Sequence, residues 1–86
     1  IKMASGATTY SNNIINLGGN TKTSVYGIYE TGAANNNNNI YFNTVYISGT
    51  LASGSTNKSY ALYSALSTNV RDFRNNIFKF SFFMEV

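Results

Sequence analysis

Eighty-six residues with six basic and three acidic side chains make one small domain, whose net charge of +3 is too weak and scattered to argue for nucleic acid. With no Cys and no His, the chain has neither disulfide nor zinc-type staples, and no thiol or imidazole for nucleophilic catalysis. It also lacks a run of 18 apolar residues, so no membrane-spanning helix is encoded.

Charged residues make up 10% of the chain, against roughly 25% in an ordinary soluble domain. Asn, Ser, Thr, Gly and Tyr fill the deficit: fourteen residues are Asn, seven are Tyr and none is Pro. A neutral, hydrogen-bonding surface repels copies of itself weakly and favours close protein contact. A chain this short buries only roughly 60–65% of its unfolded surface, so stability has to come from regular backbone pairing or from neighbouring subunits.

The chain opens Ile1-Lys2-Met3-Ala4 without the charged and apolar stretches of a signal peptide, and its start at Ile rather than Met suggests a processed or partial chain, expected to be mature material from a longer precursor. The first apolar cluster, Ile14 to Leu17, follows Asn12-Asn13 and has strand length. Val25 to Tyr29 is a second strand. Asn35 to Asn39 reads as a solvated turn. From Ile40 to Ile47 the alternation slips: Ile40 and Phe42 share one parity, Val45 and Ile47 the other. That predicts two short strands with a bend at Asn43-Thr44. Thr50 to Asn57 is Ser/Thr/Gly-rich and reads as a loop, and Tyr60 to Leu66 is the next strand. The last segment, residues 78–86, places Phe78, Phe80, Phe82, Met84 and Val86 at every second position, a strand with one apolar face. Helix formers are few, and no Asn-Gly or Asp-Gly dipeptide marks a tight hairpin.

Repetition is the more informative signal. Asn-Asn-Ile occurs at positions 12, 38 and 75, and Tyr26-Gly27-Ile28-Tyr29 is echoed by Tyr60-Ala61-Leu62-Tyr63. Repeats of 20–50 residues predict a solenoid, each unit covering the apolar face of the next. The expected fold is therefore all-β, a single module over residues 1–86 forming a short parallel β-helix of two to three coils. Side-chain amides carry both donors and an acceptor, so Asn13, Asn39 and Asn76 are expected to bond in a ladder. Asn also tolerates the left-handed backbone of a sharp corner. Ile14, Ile40 and Ile77 are the expected core ladder.

The segment Asn38-Asn39-Ile40-Tyr41-Phe42-Asn43-Thr44-Val45-Tyr46-Ile47-Ser48-Gly49 resembles the repeats of right-handed parallel β-helix regions in large secreted bacterial surface proteins. Ser59 to Ser64 and Arg71 to Phe78 are similar to later stretches of such repeats, and the likeness spans about residues 12–78. The resemblance implies a right-handed coil and a secreted or cell-surface location in bacteria. It is informative for architecture and not for activity.

Enzymes resembling this fold include pectin-cleaving lyases, which need clustered carboxylates for calcium and an Arg as base. Arg71, Asp72 and Arg74 form the one charged cluster here, and a single carboxylate cannot supply the six to eight oxygens of a calcium site. A structural ion pair is the expected role. Glu30 and Asp72 are weak candidates for the paired carboxylates of glycoside hydrolysis. No cofactor is implied. Tyr26 with Tyr60 and Tyr29 with Tyr63 are expected to stack as outward ladders, Tyr29 and Tyr63 offering a possible sugar-binding surface. The functional expectation is a non-enzymatic structural or adhesive module. It would self-associate end to end as a fibre through Phe78, Phe80, Phe82, Met84 and Val86. A carbohydrate-binding or polysaccharide-cleaving domain, with a surface polysaccharide as partner, is the alternative.

Overall fold

A computed structural model describes residues 1–21, 24–32, 37–51, 56–65 and 69–84. Among these residues there are ten β-strands and no helix. In chain order they are β1 (Lys2–Met3), β2 (Thr9–Ser11), β3 (Ile14–Leu17), β4 (Asn20–Thr21), β5 (Tyr26–Glu30), β6 (Asn39–Tyr41), β7 (Thr44–Leu51), β8 (Tyr60–Ser64), β9 (Asp72–Arg74) and β10 (Ile77–Met84).

Every pairing among them is parallel. The strands form three separate sheets, ordered β1-β5-β8, β2-β6-β9 and β10-β7-β3, with β4 also pairing β7. The chain thus visits the sheets in one order three times. The first pass supplies β1 to β4, the second β5 to β7 and the third β8 to β10. In each sheet the second-pass strand lies in the middle, so only that pass is covered on both sides.

The core follows from this order. Ile28, Ile40, Val45 and Ile47, all on second-pass strands, are buried together with Met3 and Ala61. Residues sharing a register position share a face, because side chains alternate along a strand. The inward columns of the third sheet are Ile15–Val45–Phe78 and Leu17–Ile47–Phe80, and that of the second sheet is Tyr10–Ile40–Phe73.

Two expectations about the repeat are corrected by this register. Asn39 does not join Asn13 and Asn76; it sits in β6 beside Thr9 and Asp72, and its amide donates to Thr9 Oγ1 at 3.2 Å. Nor do Ile14, Ile40 and Ile77 form a core ladder. Ile40 is buried beside Tyr10 and Phe73, whereas Ile14 and Ile77 flank Thr44 on the outer face, 86% and 62% exposed. The reason is a phase shift. In the first and third passes Asn-Asn-Ile straddles the corner between the second and third sheets, and the first residue after that corner points outward. In the second pass the same letters fall just before the corner, which is made by Phe42-Asn43.

That corner has one backbone solution in all three passes. Asn12, Phe42 and Asn75 take φ of 58°, 53° and 55°, in the left-handed region. Asn is tolerated there, while a bulky aromatic such as Phe42 is an outlier. A second shared bend lies further along the third sheet at Gly19 and Gly49, with φ of 132° and 133°. A Cβ on Gly49 would collide with the Gly19 carbonyl oxygen, so glycine is required by both conformation and space. Strand β7 continues through Thr50 to Leu51, into the segment expected to be a loop; residues 52–55 of that segment lie outside the described residues.

Candidate functional site

The Asn corner carries a repeated set of side-chain hydrogen bonds from pass to pass. Asn13 donates its backbone N–H and its Nδ2 to Asn43 Oδ1, at 3.1 and 2.9 Å. Asn43 repeats the pattern toward Asn76 Oδ1, at 2.9 and 3.1 Å. A further amide hydrogen turns back to the preceding pass: Asn43 Nδ2 reaches Tyr10 O at 2.9 Å, and Asn76 Nδ2 reaches Ile40 O at 2.8 Å. The bonds onto the Asn Oδ1 atoms therefore all advance in one direction, from first pass to third. Asn43 is buried, and each of its side-chain polar atoms has a partner.

The sequence reading placed a bend at Asn43 but named Asn39 in its stead as the middle ladder residue, although a signal was present. Each ladder Asn has an apolar residue three positions before it and others two and four positions after it. These are Tyr10, Ile15 and Leu17 around Asn13; Ile40, Val45 and Ile47 around Asn43; and Phe73, Phe78 and Phe80 around Asn76. That spacing encodes one inward position on the second sheet and two on the third.

The outer edges of the stack are the second feature. Phe78 and Phe80 stand in the same inward columns as the fully buried Val45 and Ile47, yet are 41% and 45% exposed, since no described strand pairs with the far side of β10. Phe80 and Phe82 stack, with ring centroids 6.1 Å apart. Of the other expected self-association residues, Met84 closes β10 and Val86 lies outside the described residues.

Four tyrosines cluster on the first sheet. Tyr26 pairs with Tyr60 and Tyr29 with Tyr63 in register. Ring centroids lie 5.2 Å apart in the stacked first pair and 5.3 Å in the edge-on second. Tyr26 also stacks on Tyr29 at 4.8 Å. Loss of water to these neighbours, and then the charges that Tyr60, Tyr29 and Tyr63 would carry, push the Tyr26 hydroxyl above its ordinary range. Lys2 Nζ sits 5.8 Å from the Tyr29 ring centre, a cation–π distance.

Both acidic residues among the described ones, Glu30 and Asp72, are bonded within the chain. Glu30 is buried and accepts from Ser64 Oγ at 2.6 Å and from Asn38 Nδ2 at 3.2 Å. Arg71 approaches the same carboxylate at 3.9 Å and donates to Ser64 Oγ. Asn38, read from sequence as part of a solvated turn, is thus buried and bonded; Asn35 and Asn36 of that tract lie outside the described residues. Asp72 accepts from both Arg74 Nε and Nη2, at 2.6 and 2.7 Å, and from the Tyr41 hydroxyl at 2.7 Å. The Tyr41 hydrogen bond first, and the Arg74 guanidinium second, hold the Asp72 carboxyl below its ordinary range.

Glu30 and Asp72 belong to different sheets and share no bonding partner among these contacts. No group of three potential metal-binding side chains occurs among the described residues. No family model, curated protein or solved structure matches the chain.

Proposed function

We propose that the chain is a non-enzymatic structural or adhesive module. It would be a right-handed parallel β-helix, one coil per pass, that associates along its axis as a fibre subunit outside the bacterial cell. The observation that carries this is the state of Phe78 and Phe80: inward-column residues left half-exposed at an uncovered layer of backbone donors and acceptors. Proteins commonly blunt such edges with Pro, inward charge or a covering helix. The chain has no Pro, and its described residues include no helix. The resemblance of residues 38–49 to surface-protein repeats supports the extracellular setting.

Sedimentation and electron microscopy across the micromolar range test the proposal. The expected result is concentration-dependent assembly into filaments. A stable monomer throughout that range overturns it.

The tyrosine cluster favours a second reading, a carbohydrate-binding surface. Tyr26, Tyr29, Tyr60 and Tyr63 provide adjoining aromatic faces with Lys2 beside them. Glycan-array binding that disappears in Tyr63→Ala would support it, and an array with no binding would remove it.

A further inference from the structure

Resting on the proposed end-to-end association, we infer that the partner is a second copy of this chain in one polar register. The Asn76 amide of one copy would donate to Asn13 Oδ1 of the next.

The inference begins from the direction of the amide ladder. Each internal step has the same three hydrogen bonds: a backbone N–H and an Nδ2 onto the following Oδ1, and an Nδ2 back to a carbonyl of the preceding pass. The third-pass edge therefore ends in the forward-pointing N–H groups of Asn76, and the first-pass edge ends in the Oδ1 of Asn13. One is a donor end and the other an acceptor end. Setting third pass on first pass reproduces the internal step, with Asn13 Nδ2 of the next copy turning back to Phe73 O. Setting third pass on third pass opposes donor to donor. A head-to-tail contact of this kind does not close on itself and gives filaments.

The remaining columns agree with that register. Phe78 and Phe80 would be covered by Ile15 and Leu17 of the next copy, and Phe73 by its Tyr10, continuing the three inward columns. On the outer face Ile77 would meet Ile14, and Lys79 would meet Asn16. On the first sheet Lys2 of the next copy would lie over Tyr63, as Lys2 lies over Tyr29 within the chain. Among the described residues no column opposes two like charges.

Engineered cysteines read this register directly, since the chain has none of its own. Asn16 and Lys79 are exposed and flank Tyr46 within one copy, two strand spacings apart, roughly 10 Å. That is too far for an internal disulfide, whereas residues on adjacent strands are within reach. The double variant Asn16→Cys/Lys79→Cys should give a ladder of covalent multimers on mild oxidation. Lys79→Cys alone should give none. A disulfide dimer of Lys79→Cys alone means third pass meets third pass and overturns the inference. Wild-type filaments without crosslinking of the double variant overturn the register while leaving the proposed function standing. A wild-type monomer overturns both.

Charge at the Ile14–Ile77 contact gives a second readout that does not depend on cysteine chemistry. Ile14→Lys/Ile77→Lys places like charges across the junction and should remain monomeric. Ile14→Lys/Ile77→Glu, altered at the same two exposed positions, should assemble. Equal behaviour of the two variants, both folded by circular dichroism, overturns the register.

Discussion

Asn43 gives both its backbone N–H and its side-chain amide to one oxygen, Asn76 Oδ1, while its own Oδ1 receives the same pair from Asn13. Removing that amide strips partners from both neighbours at once. Asn43→Ala should cost about 2–4 kcal/mol, because buried donors and acceptors left unpaired lose about 1–3 kcal/mol each. Asn43→Asp should also destabilise, since a second oxygen cannot donate to Tyr10 O. Urea unfolding checks both, and a loss below about 1 kcal/mol for the alanine variant would show the ladder to be a minor contributor.

Phe42 occupies the left-handed corner that Asn fills in the other two passes. Its ring is largely exposed, so little packing offsets the strained backbone. Phe42→Asn should raise stability by about 1 kcal/mol, the scale of the left-handed penalty for an ordinary side chain. A higher midpoint in thermal or urea unfolding is the expected outcome, and a clear decrease would assign the ring a packing role.

Gly49 requires both its positive φ and the space above Gly19. Gly49→Ala should destabilise by about 2–4 kcal/mol, combining backbone strain with overpacking. At Gly6, also at positive φ but with open space around it, the same change should be milder. Comparing the two variants separates conformation from crowding.

Asp72 binds its proton less readily folded than unfolded, because Tyr41 and Arg74 stabilise the carboxylate. Its contribution is present above the ordinary aspartate range. As pH falls below about 4 the unfolded chain takes up the proton first, and the contribution is lost through the lowered folded value. Asp72→Asn should therefore flatten the acid limb of a stability–pH profile between about pH 5 and pH 2. An unchanged limb would show that Asp72 does not set the acid sensitivity of the fold.

The positions of β3, β5, β8 and β10 and the bend near Asn43 were readable from the sequence because β-branched and aromatic clusters are bounded by Asn, Gly and Ser, whereas the short strands β1, β2 and β4 lie outside those clusters. Parallel pairing was also signalled by the repeats and the absence of hairpin dipeptides. The phase of the repeat was harder. Asn38-Asn39-Ile40 copies the letters of the other corners four residues early, and Phe42 disguises the true corner by standing where Asn is expected. The surroundings of Glu30 left no local trace, since Ser64, Asn38 and Arg71 reach it from other parts of the chain. Long-range register, not composition, decided both.

The three-pass order also has a consequence for how the chain acquires its structure. No strand pairs with its immediate successor from another sheet: Lys2 must wait for Tyr29, and Tyr26 for Tyr60. Loop-closure entropy is therefore met before any ladder forms, and the middle strands have partners on both sides only once the third pass arrives. Contacts of such long sequence separation slow folding, on the order of milliseconds to seconds for domains dominated by them. A nascent chain halted after Leu51 would hold the strands that carry most of its buried core, β5 to β7, against one neighbour only. Amide protons of β5 to β7 should then exchange last in the finished protein, and should gain full protection during synthesis only once the third pass has been made.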